Sequence, residues 1–251
     1  MKLTKKLKQA ILNWAKECYP AEACGVIVAG DFIPCTNVST DKNQFEIDPK
    51  DLAKAEDKGD IQAYVHSHPD GTAYASQADL VQLEHHDKAW VICGYPEGDF
   101  KVYLPTGYKA PLIGRDYYHG LLDCYTIVKD FYSRELGIVL PDFERKDRWW
   151  EDKSHSSLYL ENYEEAGGVE VDIDTLQYGD VLLCRVGRTE HVNHAVIWLG
   201  DNAELKSEKT EPCIGSSLIL HHPYGRKSCR EIYGKQWQEQ TVKVVRYVKK
   251  D

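Results

Sequence analysis

The feature that most constrains the fold is a stretch near the middle of the chain that has no hydrophobic periodicity. Residues 105–120 contain two prolines and three glycines, whereas the segments on either side show alternating strand and helix patterns. The chain has 251 residues, which is longer than the ~150 residues of a common single domain. We therefore predict an α+β protein of two domains, at residues 1–105 and 119–251, joined by a linker at 106–118.

The charge balance and the apolar content exclude two classes of partner. The chain carries 31 Lys+Arg against 40 Asp+Glu, which gives a net charge of −9. Because non-specific binding to nucleic acid depends on clustered Lys and Arg, we expect no nucleic-acid partner. No run approaches the ~18–20 apolar residues of a membrane span, so we expect no membrane partner either.

The N-terminal segment and the cysteines both indicate a protein that is not secreted. Leu3, Leu7, Ile11 and Trp14 recur at helical spacing and do not form the uninterrupted apolar run of a signal peptide. None of the eight cysteines forms a CxxC pair, and their spacing is irregular. We expect an amphipathic first helix and reduced thiols in a cytoplasm.

The segment from residue 66 to residue 79 carries the ligand types of a zinc site. His66 ends a strand predicted at residues 61–66, and residues two apart on a strand face the same side, so His66 and His68 can bind one ion. A loop and a helix N terminus then return Asp79 as a third ligand. Two imidazoles and one carboxylate leave one tetrahedral position open for water. We therefore predict a Zn²⁺ cofactor, which makes hydroxide available near neutral pH.

A hydrolytic zinc site also needs a general base that is not a ligand and a donor for the developing oxyanion. Glu22 lies just ahead of the apolar run at residues 24–30 and is well placed to be this base. Ser76 precedes Asp79 by three residues and is placed to donate to the oxyanion.

These positions together resemble the JAMM motif of the JAB/MPN metalloprotease family. Glu22 is followed by the run His-Ser-His-Pro at residues 66–69, and then by Ser76 and Asp79 at the spacing of the motif. The resemblance covers residues 1–105 and implies a JAB/MPN-like sheet with flanking helices. It also implies a zinc-dependent peptidase or isopeptidase, with the ligand, acid/base and oxyanion roles at the residues named above.

A second set of chemistry-bearing residues begins with a cysteine in the first turn of a predicted helix. Residues 123–136 predict this helix, with Asp123 as the N-cap, Cys124 directly after it and Gly137 at the end. Unpaired backbone N–H groups and the helix dipole at an N terminus favour a thiolate. Cys124 is therefore a candidate nucleophile.

A nucleophilic cysteine also needs an imidazole and a third polar group that orients the imidazole. His194 begins a hydrophobic run that predicts a strand, and His221 and His222 lie at the end of another predicted strand. Pairing of these two strands would bring a histidine pair beside Cys124.

The order of these segments resembles the NlpC-type cysteine peptidases, papain-like enzymes of bacterial cell-wall turnover. The matching runs are Asp-Cys, then His-Ala-Val-Ile-Trp-Leu-Gly-Asp from His194, then Leu-His-His. The resemblance covers the second half of the chain and implies a papain-like α+β domain with Cys124 as nucleophile, His194 as base and His221 as the orienting residue. A polar insert at residues 201–216 lengthens the interval between the histidines, so His222 remains an alternative to His221.

The pairing of these two domains resembles the tail tip proteins of lambda-like tailed bacteriophages. It implies action at the tail tip during assembly in the host cytoplasm, a place in the virion, and other tail tip proteins as partners. We expect a zinc metallopeptidase joined to a cysteine endopeptidase, acting on peptidoglycan peptides or on a tail protein. The alternative is a structural or assembly subunit whose catalytic sites are unused. The C-terminal half argues against a third interpretation, a cellular deubiquitinase-like enzyme.

Overall fold

The chain folds into two units, each built on its own β-sheet. The structure is a computed structural model and describes four stretches of the chain, residues 1–40, 44–152, 157–201 and 204–248. The first unit spans Met1–Lys109 and the second spans Ala110–Asp251. Both units combine a sheet with helices, so the predicted α+β class with two domains is confirmed.

In its described residues, the first unit contains a five-stranded sheet and three helices. Its elements in chain order are α1 Lys5–Cys18, β1 Cys24–Val28, β2 Asp31–Cys35, α2 Pro49–Glu56, β3 Ile61–Pro69, α3 Gln77–His86, β4 Ala89–Tyr95 and β5 Phe100–Tyr103. The strands lie in the order β2-β1-β3-β4-β5. Neighbouring strands are antiparallel except β3 and β4, which are parallel.

Helices cover both faces of this sheet. Successive side chains of β1 alternate between the two faces, so each face carries apolar residues that a helix can bury. Ile27 packs with Leu7 and Ile11 of α1, so the predicted amphipathic first helix is confirmed. Val26 belongs to the opposite face and packs with Ala55 of α2. Burial on both faces explains why β1 is an unbroken apolar run.

The parallel pair of β3 and β4 brings the histidine segment and the start of α3 together. Parallel neighbours need a crossover connection, and α3 supplies it by running back along the sheet. The first turn of α3 therefore lies at the carboxyl end of β3, which carries His66 and His68. Asp99 holds the connecting loop, because its Oδ2 accepts a hydrogen bond from the backbone N–H of Ala73 at 2.8 Å.

The second unit, as far as the structure describes it, contains a six-stranded antiparallel sheet. Its elements in chain order are α4 Cys124–Phe131, α5 Leu158–Asn162, β6 Gly168–Glu170, β7 Val181–Cys184, β8 His194–Gly200, β9 Leu218–His221, β10 Cys229–Ile232, α6 Lys235–Gln240 and β11 Thr241–Tyr247. The strands lie in the order β10-β9-β8-β7-β11-β6.

The helix predicted at residues 123–136 forms in two parts. The α-helix α4 is continued by one π-helical turn, Tyr132–Leu136. Gly137 ends this turn at a φ of 68°, a left-handed conformation that glycine adopts at little cost. Ile127 of α4 and Ala195 of β8 belong to the same buried cluster, so the helix packs against the strand that begins with a histidine.

The segment after β8 forms the loop that its polar composition predicts. Residues 204–216 of the polar insert form a loop, and its residues 202–203 lie outside the described residues. Strand β9 follows the insert. The next strand, β10, pairs with β9, although its mixed polar composition does not predict a strand.

In the described stretches, no helix is both long enough and apolar enough to cross a bilayer.

Gly94, on β4, has no room for a side chain. A Cβ there would overlap Asp99 Oδ1 and lie 2.7 Å from the Gly71 carbonyl oxygen. We predict that Gly94→Ala lowers the free energy of unfolding in urea by about 1–3 kcal/mol, the usual cost of overpacking. Gly234→Ala is the control, because a Cβ there has no neighbour nearer than 3.9 Å and its φ is −80°. Equal unfolding midpoints for the two variants would contradict this packing.

Candidate active sites

The two histidines of the first site meet because they are two residues apart on β3. His66 Nε2 and His68 Nε2 lie 3.0 Å apart. His66 is fully buried, with its ring stacked on Phe45 at 4.6 Å between ring centres. His68 Nδ1 is 2.8 Å from the carbonyl oxygen of Thr72, which makes Nδ1 the protonated nitrogen and leaves Nε2 as a lone-pair donor.

Asp79 reaches the same point from the first turn of α3, where it forms a capping box with Ser76. The backbone N–H of Ser76 donates to Asp79 Oδ2 at 2.7 Å, and the backbone N–H of Asp79 donates to Ser76 Oγ at 3.1 Å. Asp79 Oδ1 lies 3.2 Å from His66 Nε2, and Oδ2 lies 3.3 Å from His68 Nε2. The helix cap therefore also orients the carboxylate toward the histidines.

The arrangement of His66, His68 and Asp79 fits a zinc ion. Their closest ligand atoms are separated by 3.0 to 3.3 Å. Tetrahedral zinc with bonds of about 2.0–2.1 Å requires ligand atoms roughly 3.3 Å apart. Nitrogen and oxygen lone pairs thus converge on one point, and the hydrogen bond from His68 to Thr72 is the outer-shell contact that fixes a metal-binding tautomer.

The protonation states of the three groups also suit a metal. Burial lowers the pKa of His66, which favours the neutral imidazole. Burial acts against the charged form of Asp79 as well, but the adjacent histidines outweigh it and lower the pKa of this carboxyl. For His68, burial opposes the charged form, yet Asp79 prevails and raises its pKa. A cation would displace that proton, because metal binding and protonation compete for the same lone pair.

Glu22 is held beside this cluster by the segment before β1. The backbone N–H of Ala23 donates to Ser67 Oγ at 2.9 Å, and the N–H of Ser67 donates to the Ala23 carbonyl oxygen at 2.9 Å. Glu22 is buried. Burial and Asp79 have the larger effects on the pKa of His68, and the negative charge of Glu22 helps to raise it. The carboxyl group is thus near the cluster without belonging to its three ligand atoms.

The second site begins at the N terminus of α4, which Asp123 caps as predicted. Its Oδ1 accepts hydrogen bonds from the backbone N–H groups of Tyr125 at 3.0 Å and Thr126 at 2.9 Å. Arg145 pairs with Asp123 Oδ2 at 2.8 Å, and both side chains are buried. Burial favours the neutral acid, but Arg145 outweighs it and lowers the pKa of Asp123.

Cys124 is partly buried, and its surroundings favour the neutral thiol. Burial, with a smaller contribution from the charge of Asp123, raises the pKa of this thiol to about 11. The Tyr159 hydroxyl lies 3.0 Å from Sγ and acts in the opposite direction. The predicted activation by the helix N terminus is therefore outweighed by burial, so the thiolate must form with the help of a base.

The base is available on the neighbouring strands. His194 begins β8 and His221 ends β9, and His194 Nε2 lies 3.0 Å from His221 Nδ1. Burial lowers the pKa of both rings, that of His221 to about 4. His222 lies on the opposite face of β9 and packs edge-on against Tyr117 at 5.2 Å. Of the two histidines that the sequence left as alternatives, His221 is the one in contact with His194.

Cys124, His194 and His221 line one cavity of about 440 Å³. The Cys124 Sγ atom lies 4.0 Å from the carbonyl oxygen of Asn193, the residue that precedes His194. The three candidate residues therefore share a space that can hold part of a peptide chain.

Sequence patterns miss three residues of this cavity. The Tyr159 hydroxyl contacts the thiol, Glu231 Oε1 lies 3.0 Å from His221 Nε2, and the Trp237 ring stacks on His194 at 5.7 Å. They come from three separate segments of the chain, and none belongs to a recognisable motif. Glu231 lies on β10, whose composition does not predict a strand, so no sequence signal indicated it.

The two units match models of two domain families. Residues 4–103 match the model for prokaryotic homologs of the JAB domain, and residues 114–246 match the NlpC/P60 family. Both resemblances inferred from the motifs are thereby confirmed. Fold and sites together define a protein with one JAB-type domain and one NlpC/P60-type domain.

Two relatives resemble the chain over most of its length. Tail tip assembly protein K of Escherichia phage N15 is 35% identical over 250 residues, covering 98% of this chain and 96% of the relative. Tail tip assembly protein K of Escherichia phage lambda is 36% identical over 200 residues, covering 79% and 88%. The chain therefore belongs to the tail tip assembly protein K family. Among solved structures, a JAB1/MPN domain protein from Archaeoglobus fulgidus is 23% identical with a TM-score of 0.29, over 44% of this chain and 94% of that protein.

The convergence of three ligand atoms predicts zinc binding by the first unit. Metal analysis after dialysis should find about one zinc per chain, and His68→Ala should lower the zinc affinity by at least about tenfold. His85→Ala is the matched control, because His85 lies on α3 but is exposed. Equal zinc contents in the two variants would contradict the assignment of His68 as a ligand.

The raised pKa of Cys124 predicts a steep pH dependence of its alkylation. Only the thiolate reacts with iodoacetamide, so the rate at Cys124 should be low at pH 7 and should rise about tenfold per pH unit up to pH 10. Mass spectrometry of the modified peptide measures this rate. Tyr159→Phe should slow the reaction, because it removes a hydrogen bond that lowers the pKa, whereas Tyr178→Phe should not. A rate that levels off below pH 8 would show a preformed thiolate instead.

Proposed function

We propose that this chain is a bacteriophage tail tip protein with two peptidase activities, one dependent on a thiol and one on zinc. The observation that carries the proposal is that each domain brings together reactive groups from separate segments, the metal-binding group in one and the histidine pair in the other. Both domains match peptidase-type families. In this proposal the NlpC/P60-type domain cleaves peptides of peptidoglycan. The JAB-type domain cleaves a peptide or isopeptide bond, with a tail protein as the candidate substrate.

In the second domain, Cys124 is the proposed nucleophile and His194 the general base. The thiol transfers its proton to His194 as Sγ attacks the carbonyl carbon, because burial keeps both groups neutral at rest. His221 accepts the Nε2–H of His194 and stabilises the imidazolium that forms. The leaving amine then takes the proton from His194, and water releases the acyl group from Sγ in a second step.

In the first domain, His66, His68 and Asp79 would hold zinc, which supplies a lowered water pKa and polarisation of the substrate carbonyl when bound. Glu22 is the proposed acid/base: its buried carboxylate accepts a proton from water and delivers it to the leaving nitrogen. Ser76 Oγ uses a lone pair to accept from the Asp79 N–H, so its own hydroxyl proton remains to stabilise the oxyanion.

The names of the relatives suggest where these activities are used. The relatives from phages N15 and lambda are tail tip assembly proteins, and we infer the same place of action for this chain. Its partners would then be other tail tip proteins, in the host cytoplasm during assembly and afterwards in the virion. A tip protein that reaches the cell wall at infection would meet peptidoglycan, which is why its peptides are the proposed substrate of the NlpC/P60-type domain.

Purified chain should release soluble peptide fragments from peptidoglycan. Cys124→Ala should lower this release by at least about a thousandfold, because removal of a nucleophile leaves only residual catalysis. His68→Ala is the matched variant and should leave the release unchanged, since it affects the other domain. Mass spectrometry of digests with a chelator, with a thiol blocker or with neither measures the products. Full release by the Cys124→Ala/His68→Ala double variant would rule out both sites as its source.

A structural role without catalysis is the second candidate, and the names of the relatives favour testing it. Phages that carry Cys124→Ala or His66→Ala in this chain separate the two functions. A loss of infectious particles with normal amounts of the protein supports a need for hydrolysis. Normal titres with both variants support a scaffold whose catalytic groups are not used.

A further inference from the structure

Three polar side chains form a row across neighbouring strands of the second unit. In the antiparallel register, His221 of β9 lies opposite Val196 of β8 and opposite Cys229 of β10. His194 and Glu231 are each two residues from those partners, so both face the same side of the sheet as His221. The row has one member on each strand of the order β8-β9-β10.

Hydrogen-bond distances connect the whole row. His194 Nε2 lies 3.0 Å from His221 Nδ1, and His221 Nε2 lies 3.0 Å from Glu231 Oε1. Trp237 Nε1–H donates to the same Oε1 at 2.6 Å, which holds the carboxylate in this orientation. The indole ring of Trp237 also stacks on His194, so it supports both ends of the row.

The direction of these hydrogen bonds depends on the carboxylate at the end of the row. Burial lowers the pKa of both histidines, so each ring is neutral near pH 7 and carries a single N–H. A carboxylate accepts hydrogen bonds and cannot donate them, so the 3.0 Å contact with Glu231 favours the hydrogen of His221 on Nε2. His221 Nδ1 is then an acceptor, the hydrogen of His194 lies on Nε2, and Nδ1 of His194 carries no hydrogen.

We propose that Glu231 is a positioning residue that fixes the tautomers of His221 and His194, leaving His194 Nδ1 as the nitrogen that accepts the proton of Cys124. The opposite tautomers would place a hydrogen on that nitrogen and remove its basic lone pair. The inference rests on the proposed function for its catalytic meaning, but the tautomers themselves can be measured without a substrate.

Cys229 and Arg226 are the other groups near His221, and neither sets the direction of the row. Cys229 Sγ lies 3.5 Å from His221 Nε2, but burial raises the pKa of this cysteine, so it remains a thiol and a weak partner. The contact with Glu231 is shorter and assisted by charge. Burial has the largest effect on the pKa of His221, and the positive charge of Arg226 also lowers it, so the ring stays neutral.

Nuclear magnetic resonance of ¹⁵N-labelled histidines tests the proposal on the full chain. In the unaltered protein and in Glu231→Gln, His194 and His221 should both carry their hydrogen on Nε2, because the amide oxygen still accepts and Trp237 holds it in place. Glu231→Lys offers only donors, so both hydrogens should move to Nδ1. Glu239→Lys is the control, with the same change of charge on an exposed side chain of α6. Unchanged tautomers in Glu231→Lys would overturn the proposal.

Peptidoglycan digestion supplies a second measurement on the same variants. Glu231→Lys should lower kcat by at least about tenfold with KM changed less than twofold, while Glu231→Gln and Glu239→Lys retain most activity. If Glu239→Lys also lowers kcat, the effect comes from the change of charge alone, and the proposal is overturned. If the unaltered chain releases no peptides, the proposed function fails, whereas the tautomer measurement still decides the role of Glu231.

Discussion

The hydrogen bonds that cap the first turns of α3 and α4 determine the geometry of both sites. In α3, Asp79 accepts from the Ser76 N–H while its carboxylate oxygens face the two histidines. In α4, Asp123 accepts from two N–H groups and fixes the turn on which Cys124 begins the helix. An N-cap contributes only about 1 kcal/mol to stability. Its larger effect here is on direction, since a misplaced first turn would displace the Asp79 carboxylate or the Cys124 thiol.

Burial has opposite consequences in the two domains. In the first, it is opposed by the attraction between Asp79 and the histidines, so the pKa of the carboxyl falls although the group is largely enclosed. In the second, burial outweighs the charge of Arg145 near Cys124 and the charge of Asp123 near His194, so both groups favour their neutral forms. The first site is thus prepared for a cation. In the second, the thiol and the imidazole are both neutral.

Sequence distance explains which parts of the sites could be predicted. His66 and His68 lie on one strand and Asp79 lies at the start of the next helix, so side-chain periodicity and a predicted helix start were sufficient to place them together. The choice between His221 and His222 needed the register of β9 against β8, which no local pattern encodes. Glu231 depends on β10, a strand whose polar composition hides it, and Tyr159 comes from α5, a helix of one turn without buried residues.

The shared use of Asp79 and Ser76 affects how this chain can change over generations. Both residues stabilise the start of α3 through their mutual hydrogen bonds, independently of any metal. Selection for a folded tail component alone would therefore retain them. His66 and His68 take no part in that cap, and His66 Nδ1 has no hydrogen-bond partner among the described residues. In a lineage without selection for the proposed hydrolysis, the two histidines would change first, while the serine and the aspartate would persist because they stabilise the helix start.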